Sequence, residues 1–384
     1  MKKSVLFKTV IGLALVAAMA MSVLACSTTP AASSAPASQA PASSAAPASS
    51  AAPASSAAPA ASSSDTITVV WYPNESAATF DAVRAEIAKL IEQATGKKVV
   101  TKTTTDYTIA VAALADGTAQ LGFQWGAVGY IQAQMKNPAV KALIVNTGAS
   151  GTLDDAYYWS TICATKENAD KYKDASGKYS IEGIQGKKMS FVSTSSTSGF
   201  VIPTTYITSV FKTQDKWKSL NQDAFTQGGA DKFFSEVLLG QTHQGSAANL
   251  MTGKADVAAF DDTDLVPYAN KVSGATGTNE IASGDVYQIK DDAEAPFDTV
   301  TGKQYVVLSA TQVQNGPCVY NSQALSADDV KKIQDLFTSD TVTNNPLIFI
   351  PKDSKAVGLL KQAGKNHYVT VDDAWYDPIR NIMK

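Results

Sequence analysis

Met189-Ser190-Phe191-Val192-Ser193-Thr194-Ser195-Ser196-Thr197-Ser198-Gly199-Phe200-Val201-Ile202-Pro203 decides how this chain is read. The apolar run beginning at Met189 predicts a buried strand. Phe200, Val201, Tyr206, Ile207, Val210 and Phe211 then recur at the spacing of one helix face. The hydroxyl-rich segment between them is therefore a strand-to-helix turn. At such a turn the first N–H groups of the helix lack an intrahelical partner and carry the positive end of the helix dipole, so main chain can hold an anion. Ser196, Thr197 and Ser198 add hydroxyl donors, and Gly199 is expected to let the backbone approach a ligand closely. An isolated segment of this kind reads better as an N-cap serine with polar filler. The surrounding sequence changes that reading.

Upstream, Ile67 to Tyr72 predicts a strand, followed by the turn Pro73-Asn74-Glu75-Ser76 and a helix through Phe80, Val83, Ile87, Leu90 and Ile91 that Gly96 stops. Val99-Val100 begins another strand. Thr105-Asp106-Tyr107 opens a second helix that ends at Asp116-Gly117, and Leu121-Gly122-Phe123 is a third strand leading through Gln124-Trp125-Gly126 into a helix carrying Tyr130. Strands alternating with helices over short loops predict an α/β domain with a mainly parallel sheet, whose ligands sit beyond the carboxyl ends of the strands. Downstream, Tyr158 to Ala164 reads as a strand, Lys171 to Ser180 as an inserted polar loop, Asp231 to Leu239 as a helix and Ala255 to Phe260 as a buried strand ending at Asp261-Asp262. Lys271 to Gly302, rich in Gly, Thr, Asp and Ser, carries no clear period. Tyr305 to Leu308 and Pro317 to Tyr320 read as strands, and helices are expected through Val330–Leu336 and Asp373–Met383.

The chain has 384 residues, 45% hydrophobic and 17% charged, enough for the core of one or two domains. Its formal charge of −3 excludes a broadly basic surface, so nucleic acid is not an expected partner and any anion site must be local. Lys2, Lys3 and Lys8 flank an apolar run ending in Val23-Leu24-Ala25-Cys26, which resembles a bacterial lipoprotein signal and lipobox; residues 1–26 are assigned to it, with Cys26 as the lipidated residue. A single spanning helix is the competing reading, and the run is slightly short for it. Residues 27–64 are almost wholly Ala, Ser, Pro and Thr, with a six-residue repeat at Pro41, Pro47, Pro53 and Pro59; such a segment cannot bury a core and reads as a disordered tether. The three cysteines, Cys26, Cys163 and Cys318, match no zinc spacing and are too few for a disulfide scaffold.

Asp106 to Phe123, the strand from Tyr157, the run from Ile184 through Pro203, Thr242 to Asp261 and Gln314-Asn315-Gly316-Pro317-Cys318-Val319-Tyr320-Asn321 together resemble the phosphate/phosphite/phosphonate substrate-binding proteins of ABC transporters, in that family's order. The resemblance covers nearly all of Thr66 to Lys384. Ser193-Thr194 stands where an aspartate or proline often precedes the loop, and Trp125-Gly126 replaces a usual Gly-Pro. It implies a two-lobed type II periplasmic-binding-protein fold, each lobe a mainly parallel sheet flanked by helices, with a phosphorus oxyanion in the cleft. Residues 65–158 with 315–384 would form the first lobe and 159–314 the second.

The resemblance assigns Ser196, Thr197 and Ser198 to the oxyanion loop, Tyr107 to a position reaching across the cleft, and His243 to a cleft imidazole whose N–H bonds an oxyanion. Asp261 would meet the amine of an aminophosphonate. The bland readings are an aromatic packed on its own helix for Tyr107, a capping or core histidine for His243 and a solvated acidic loop for Asp261. Trp125 and Tyr130 either line the cleft or belong to the core. The resemblance further implies an ABC permease and its ATPase as partners, a lipid anchor to the outer face of the cell membrane, and a monomer. No catalytic residue, metal or cofactor is expected: G-x-S-x-G, H-E-x-x-H, the Walker loop and the dinucleotide fingerprint are all missing from the sequence. A phosphate-ester enzyme and a lipoprotein feeding a sensor are the alternatives. Cys163 and Cys318 are expected as free, buried thiols on opposite sides of the hinge.

Overall fold

The computed structural model describes residues 64–75, 78–274, 280–351, 354 and 358–384. The signal segment, Cys26 and all of the Ala/Ser/Pro tether except Ser64 lie outside the described residues. Among the described residues no helix is long and apolar enough to cross a membrane.

The strands, in chain order, are β1 (Thr66–Trp71), β2 (Lys98–Thr103), β3 (Leu121–Phe123), β4 (Val140–Asn146), β5 (Tyr157–Thr165), β6 (Lys188–Phe191), β7 (Glu236–Leu239) and β8 (Val257–Asp261). They continue with β9 (Ala269–Ser273), β10 (Val286–Ile289), β11 (Gln304–Gln314), β12 (Cys318–Asn321), β13 (Phe349–Ile350), β14 (Leu360–Lys361) and β15 (Tyr368–Thr370). One sheet has the order β15-β4-β12-β3-β1-β2, a second has β7-β6-β8-β5-β11-β10-β9, and β13 pairs with β14 apart from both.

Period-two burial along β1 builds the first sheet's two faces. Ile67, Val69 and Trp71 pack with Val83, Ile87 and Ile91 of the helix Asp81–Thr95, while Val70 and Tyr72 face the helices Tyr107–Ala115 and Ala127–Lys136. Gly96, at φ 72°, closes the first helix in the left-handed conformation, as its position after the last apolar residue suggests. In the second sheet Phe191 of β6 meets Phe200, Phe225 and Phe234 edge-on, an aromatic core beneath the helix Ile202–Phe211.

Two expectations change. The sheets are mixed: β1 is parallel to β2 and β3, and β6 to β7 and β8, whereas β12, β15, β5, β11, β10 and β9 pair antiparallel. The antiparallel part enters with the strands that pass between the sheets and with β9 and β10, which extend the second sheet. Residues 231–239 are turns leading into β7, not a helix. Glu236 to Leu239 pairs with Lys188 to Phe191 in parallel, and this ladder, with Phe233 and Phe234 both entering the aromatic core just before it, overrides the local helical preference.

β5 and β11 run antiparallel from Tyr157↔Gln314 to Thr165↔Tyr305, so the two passages of the chain between sheets lie side by side. The return passage is tight: a Cβ on Gly316 would fall 1.5 Å from the Trp125 carbonyl oxygen, so only glycine fits there. Cys163 and Cys318 are free and buried, each in the core of a different sheet.

Candidate functional site

The turn after β6 is a wide π turn, Thr197–Val201, that continues directly into the helix Ile202–Phe211. Ser196 caps it: its Oγ accepts the Gly199 N–H at 3.0 Å. That leaves the N–H groups of Thr197 and Ser198 as the leading donors of the helix, beside three hydroxyls. Gly199 has a different reason from the one expected. A Cβ there would lie 2.2 Å from Val192 Cγ2 and 2.8 Å from Ser196 Oγ, so glycine allows the turn to fold back on its own strand.

The helix His243–Met251 starts at the same end of the second sheet, capped by Thr242, whose Oγ1 accepts the Gly245 N–H at 2.8 Å. His243 is buried, and its Nδ1 accepts the Asp261 N–H at 2.9 Å. A backbone N–H can only donate, so the ring proton resides on Nε2. Nε2 lies 3.5 Å from Ser196 Oγ and 3.4 Å from Asp261 Oδ2. Burial lowers the imidazole pKa to about 3 and raises that of the Asp261 carboxyl, so this contact is not a fully charged ion pair; it is a neutral N–H donor beside a carboxyl with a weakened preference for ionisation. Ser198 Oγ is 3.5 Å from Asp261 Oδ2, and Ser160 Oγ fixes the turn by donating to the Ser198 carbonyl at 2.6 Å. Burial, followed by the charge of Asp261, pushes Asp262 up to about 7.

The first sheet supplies the facing wall. Asp106 caps the helix Tyr107–Ala115, and Tyr107 stacks on Tyr72 with ring centroids 4.1 Å apart; Tyr72 in turn stacks on Trp125. Two contacts join the walls. Thr197 Oγ1 accepts the Val128 N–H at 2.9 Å, and Asn74 donates from Nδ2 to the Tyr107 hydroxyl at 2.8 Å while its Oδ1 accepts the His243 N–H at 3.3 Å.

Ser196, Thr197, Ser198, Tyr107, His243 and Asp261 thus line a single cavity of about 490 Å³. Trp125 lines it too. Tyr130 does not; it is buried, donates to Asp373 and packs edge-on against Tyr376. Asn74 carried no role in the sequence reading, because a Pro-Asn turn after a strand reads as turn chemistry. Two non-glycine residues in the left-handed region, Gln124 at φ 54° and Gln241 at φ 64°, sit in the loops that feed this cavity, and no sequence signal marks them. The cavity can hold a small tetrahedral anion by dipoles and hydroxyls, with the Asp261 carboxyl beside the turn as an acceptor.

The family described as "ABC transporter, phosphonate, periplasmic substrate-binding protein" matches residues 69–376. The phosphate-import protein PhnD of Mycolicibacterium smegmatis is 25% identical over 237 residues, which span 59% of this chain and 67% of that protein. Among solved structures, the binding protein component of an ABC phosphonate transporter from Pseudomonas aeruginosa superposes with a TM-score of 0.58 at 16% identity, covering 83% of this chain and 85% of that one. PhnD1 of Prochlorococcus marinus, in complex with methylphosphonate, gives a TM-score of 0.56 at 13% identity, covering 83% and 97%. At these identities the solved structures speak to the fold, which is the two-lobed one expected.

Proposed function

Because the chain belongs to the phosphonate periplasmic substrate-binding family of ABC transporters, we propose that it captures a phosphorus oxyanion (phosphonate, phosphite or phosphate) between its lobes and hands it to an ABC permease driven by its ATPase. It is a transport protein of the extracytoplasmic side and not an enzyme. The observation that carries the oxyanion reading is the turn after β6, where two leading N–H groups and the hydroxyls of Ser196, Thr197 and Ser198 converge with the Nε2–H of a neutral His243. Tyr107 closes the site from the first lobe, residues 65–158 and 315–384, onto the second, residues 159–314. Asp261 sets selectivity: in its ionised form it favours a ligand that carries an ammonium group and opposes a bare dianion. The phosphate-import name of one relative and the methylphosphonate held by another support this ligand class.

Anchoring follows from the sequence: Cys26 carries the lipid, residues 27–64 are the tether, and the protein works as a monomer. Calorimetry against phosphite, phosphate, methylphosphonate and 2-aminoethylphosphonate tests the reading. At least one should bind, without turnover of a phosphate ester. An Asp261→Asn variant with an unchanged preference between amino and non-amino ligands would remove the role given to that carboxylate.

A further inference from the structure

The cavity that holds the Ser196–Ser198 turn is also lined by two lysines, Lys290 and Lys361. Lys290 follows β10 in the second sheet, and its Nζ donates to the carbonyls of Val266 at 2.7 Å and Pro267 at 2.9 Å, using two of three donors. Lys361 ends β14, whose neighbours Leu359 and Leu360 pack on the core of the first sheet. Its ammonium group has no hydrogen-bond or ion-pair partner among the described residues. Burial and the charge of Lys361 both lower the Lys290 pKa, and Asp292 is the carboxylate that acts the other way. The remaining charged groups lining the cavity are acidic, Asp155, Asp261, Asp262 and Asp264, and none of them contributes to the Lys290 shift.

A bare methylphosphonate held at the Ser196–Ser198 turn carries no second anionic group for this pair. Two ammonium groups that line one cavity from separate lobes, near enough for the charge of Lys361 to act on Lys290, oppose closure unless an anion joins them. We propose that Lys290 and Lys361 form a second anionic subsite, so that the ligand is an organophosphorus compound carrying, beyond its phosphorus oxyanion, a second negative group such as a carboxylate. This rests on the reading of Ser196–Ser198 as the oxyanion site.

The test is calorimetry on the whole chain with methylphosphonate, butylphosphonate, phosphonoacetate, 3-phosphonopropionate and 4-phosphonobutyrate. The best phosphonocarboxylate should bind at least about tenfold more tightly than butylphosphonate. That ratio should fall to within about threefold in Lys290→Gln and Lys361→Gln, persist in Lys361→Arg, and shrink at high salt. Melting of the unliganded variants reports folding; if Lys290→Gln unfolds through loss of its two backbone bonds, the Lys361 pair of variants carries the test. A ratio near one in the parent, or one unchanged by Lys361→Gln, overturns the subsite while methylphosphonate binding leaves the oxyanion reading standing. If none of these phosphonates binds, the subsite falls; if phosphite and phosphate fail to bind as well, the oxyanion reading falls with it.

Discussion

Gly126→Ala probes the contact between the lobes. Gly126 caps the helix Ala127–Lys136 at φ −75° and ψ 148°, a conformation alanine adopts freely, so the substitution introduces no backbone strain. Its new Cβ would lie 2.6 Å from Thr197 Oγ1, an atom that the Val128 N–H holds in place at 2.9 Å. Relief requires the Thr197 side chain to turn away or the walls to separate. Overpacking of this kind costs about 1–3 kcal/mol, and losing the Val128 bond adds about 0.5–1.5 kcal/mol. The cost falls on the arrangement that brings the two walls together, the one that capture of a ligand between the lobes requires. Ligand affinity should therefore drop roughly ten- to thousandfold, with the melting temperature of the free protein nearly unchanged. Titration calorimetry on Gly126→Ala, Thr197→Ala and the double variant completes a double-mutant cycle. Removing the Thr197 hydroxyl removes the clash, so the alanine at 126 should cost at least about 1 kcal/mol less in the Thr197→Ala background. Unchanged affinity in Gly126→Ala, or strict additivity in the cycle, would refute the idea that binding requires this contact.

Three further outcomes follow. Asn74→Ala should weaken ligand binding by about 1–3 kcal/mol, because it removes both the bond to Tyr107 and the acceptor for the His243 N–H; parent-like affinity would show that this bridge is idle. Asp262 holds its proton more tightly in the fold, its pKa raised from 3.8 to about 7, so its contribution to stability is complete below about pH 4 and is lost as pH rises through about 7. The full shift corresponds to about 4 kcal/mol, but the side chain is half-buried in the cleft, where water screens it. We expect Asp262→Asn, which keeps the acceptor for the Trp159 N–H, to gain about 1–3 kcal/mol over the parent between pH 4.5 and 8 in urea melts; a pH-independent difference would contradict the burial argument. Cys163 and Cys318 should resist a thiol reagent in the folded protein and react after unfolding without reductant, whereas labelling that needs prior reduction would reveal a disulfide.

The parts of this fold legible in the sequence are those written in local patterns. β1, the helix Asp81–Thr95 with its terminal Gly96, and the hydroxyl-rich turn after β6 each carry a period and a stop signal within a few residues. Residues 231–239 were not legible because Phe233 and Phe234 answer to an aromatic core assembled from distant segments, and the pairing of β7 with β6 overrides local preference. The antiparallel joining of β5 to β11 is likewise non-local. At the site, residue types that speak of anion chemistry stood out, and the fold gathers Tyr107, the three hydroxyls, His243 and Asp261 in one cavity. Asn74 and Gly126 did not stand out, since their roles exist only where one wall meets the other.

The central claim is that the phosphorus oxyanion sits on the turn at Ser196–Ser198, and a crystal structure with methylphosphonate tests it most directly. The account predicts phosphonate oxygens within ~2.6–3.1 Å of the Ser196 and Ser198 hydroxyls, the leading N–H groups of Thr197 and Ser198, and His243 Nε2. A phosphonate bound elsewhere in the cleft, with this turn making no contact to it, would contradict the account.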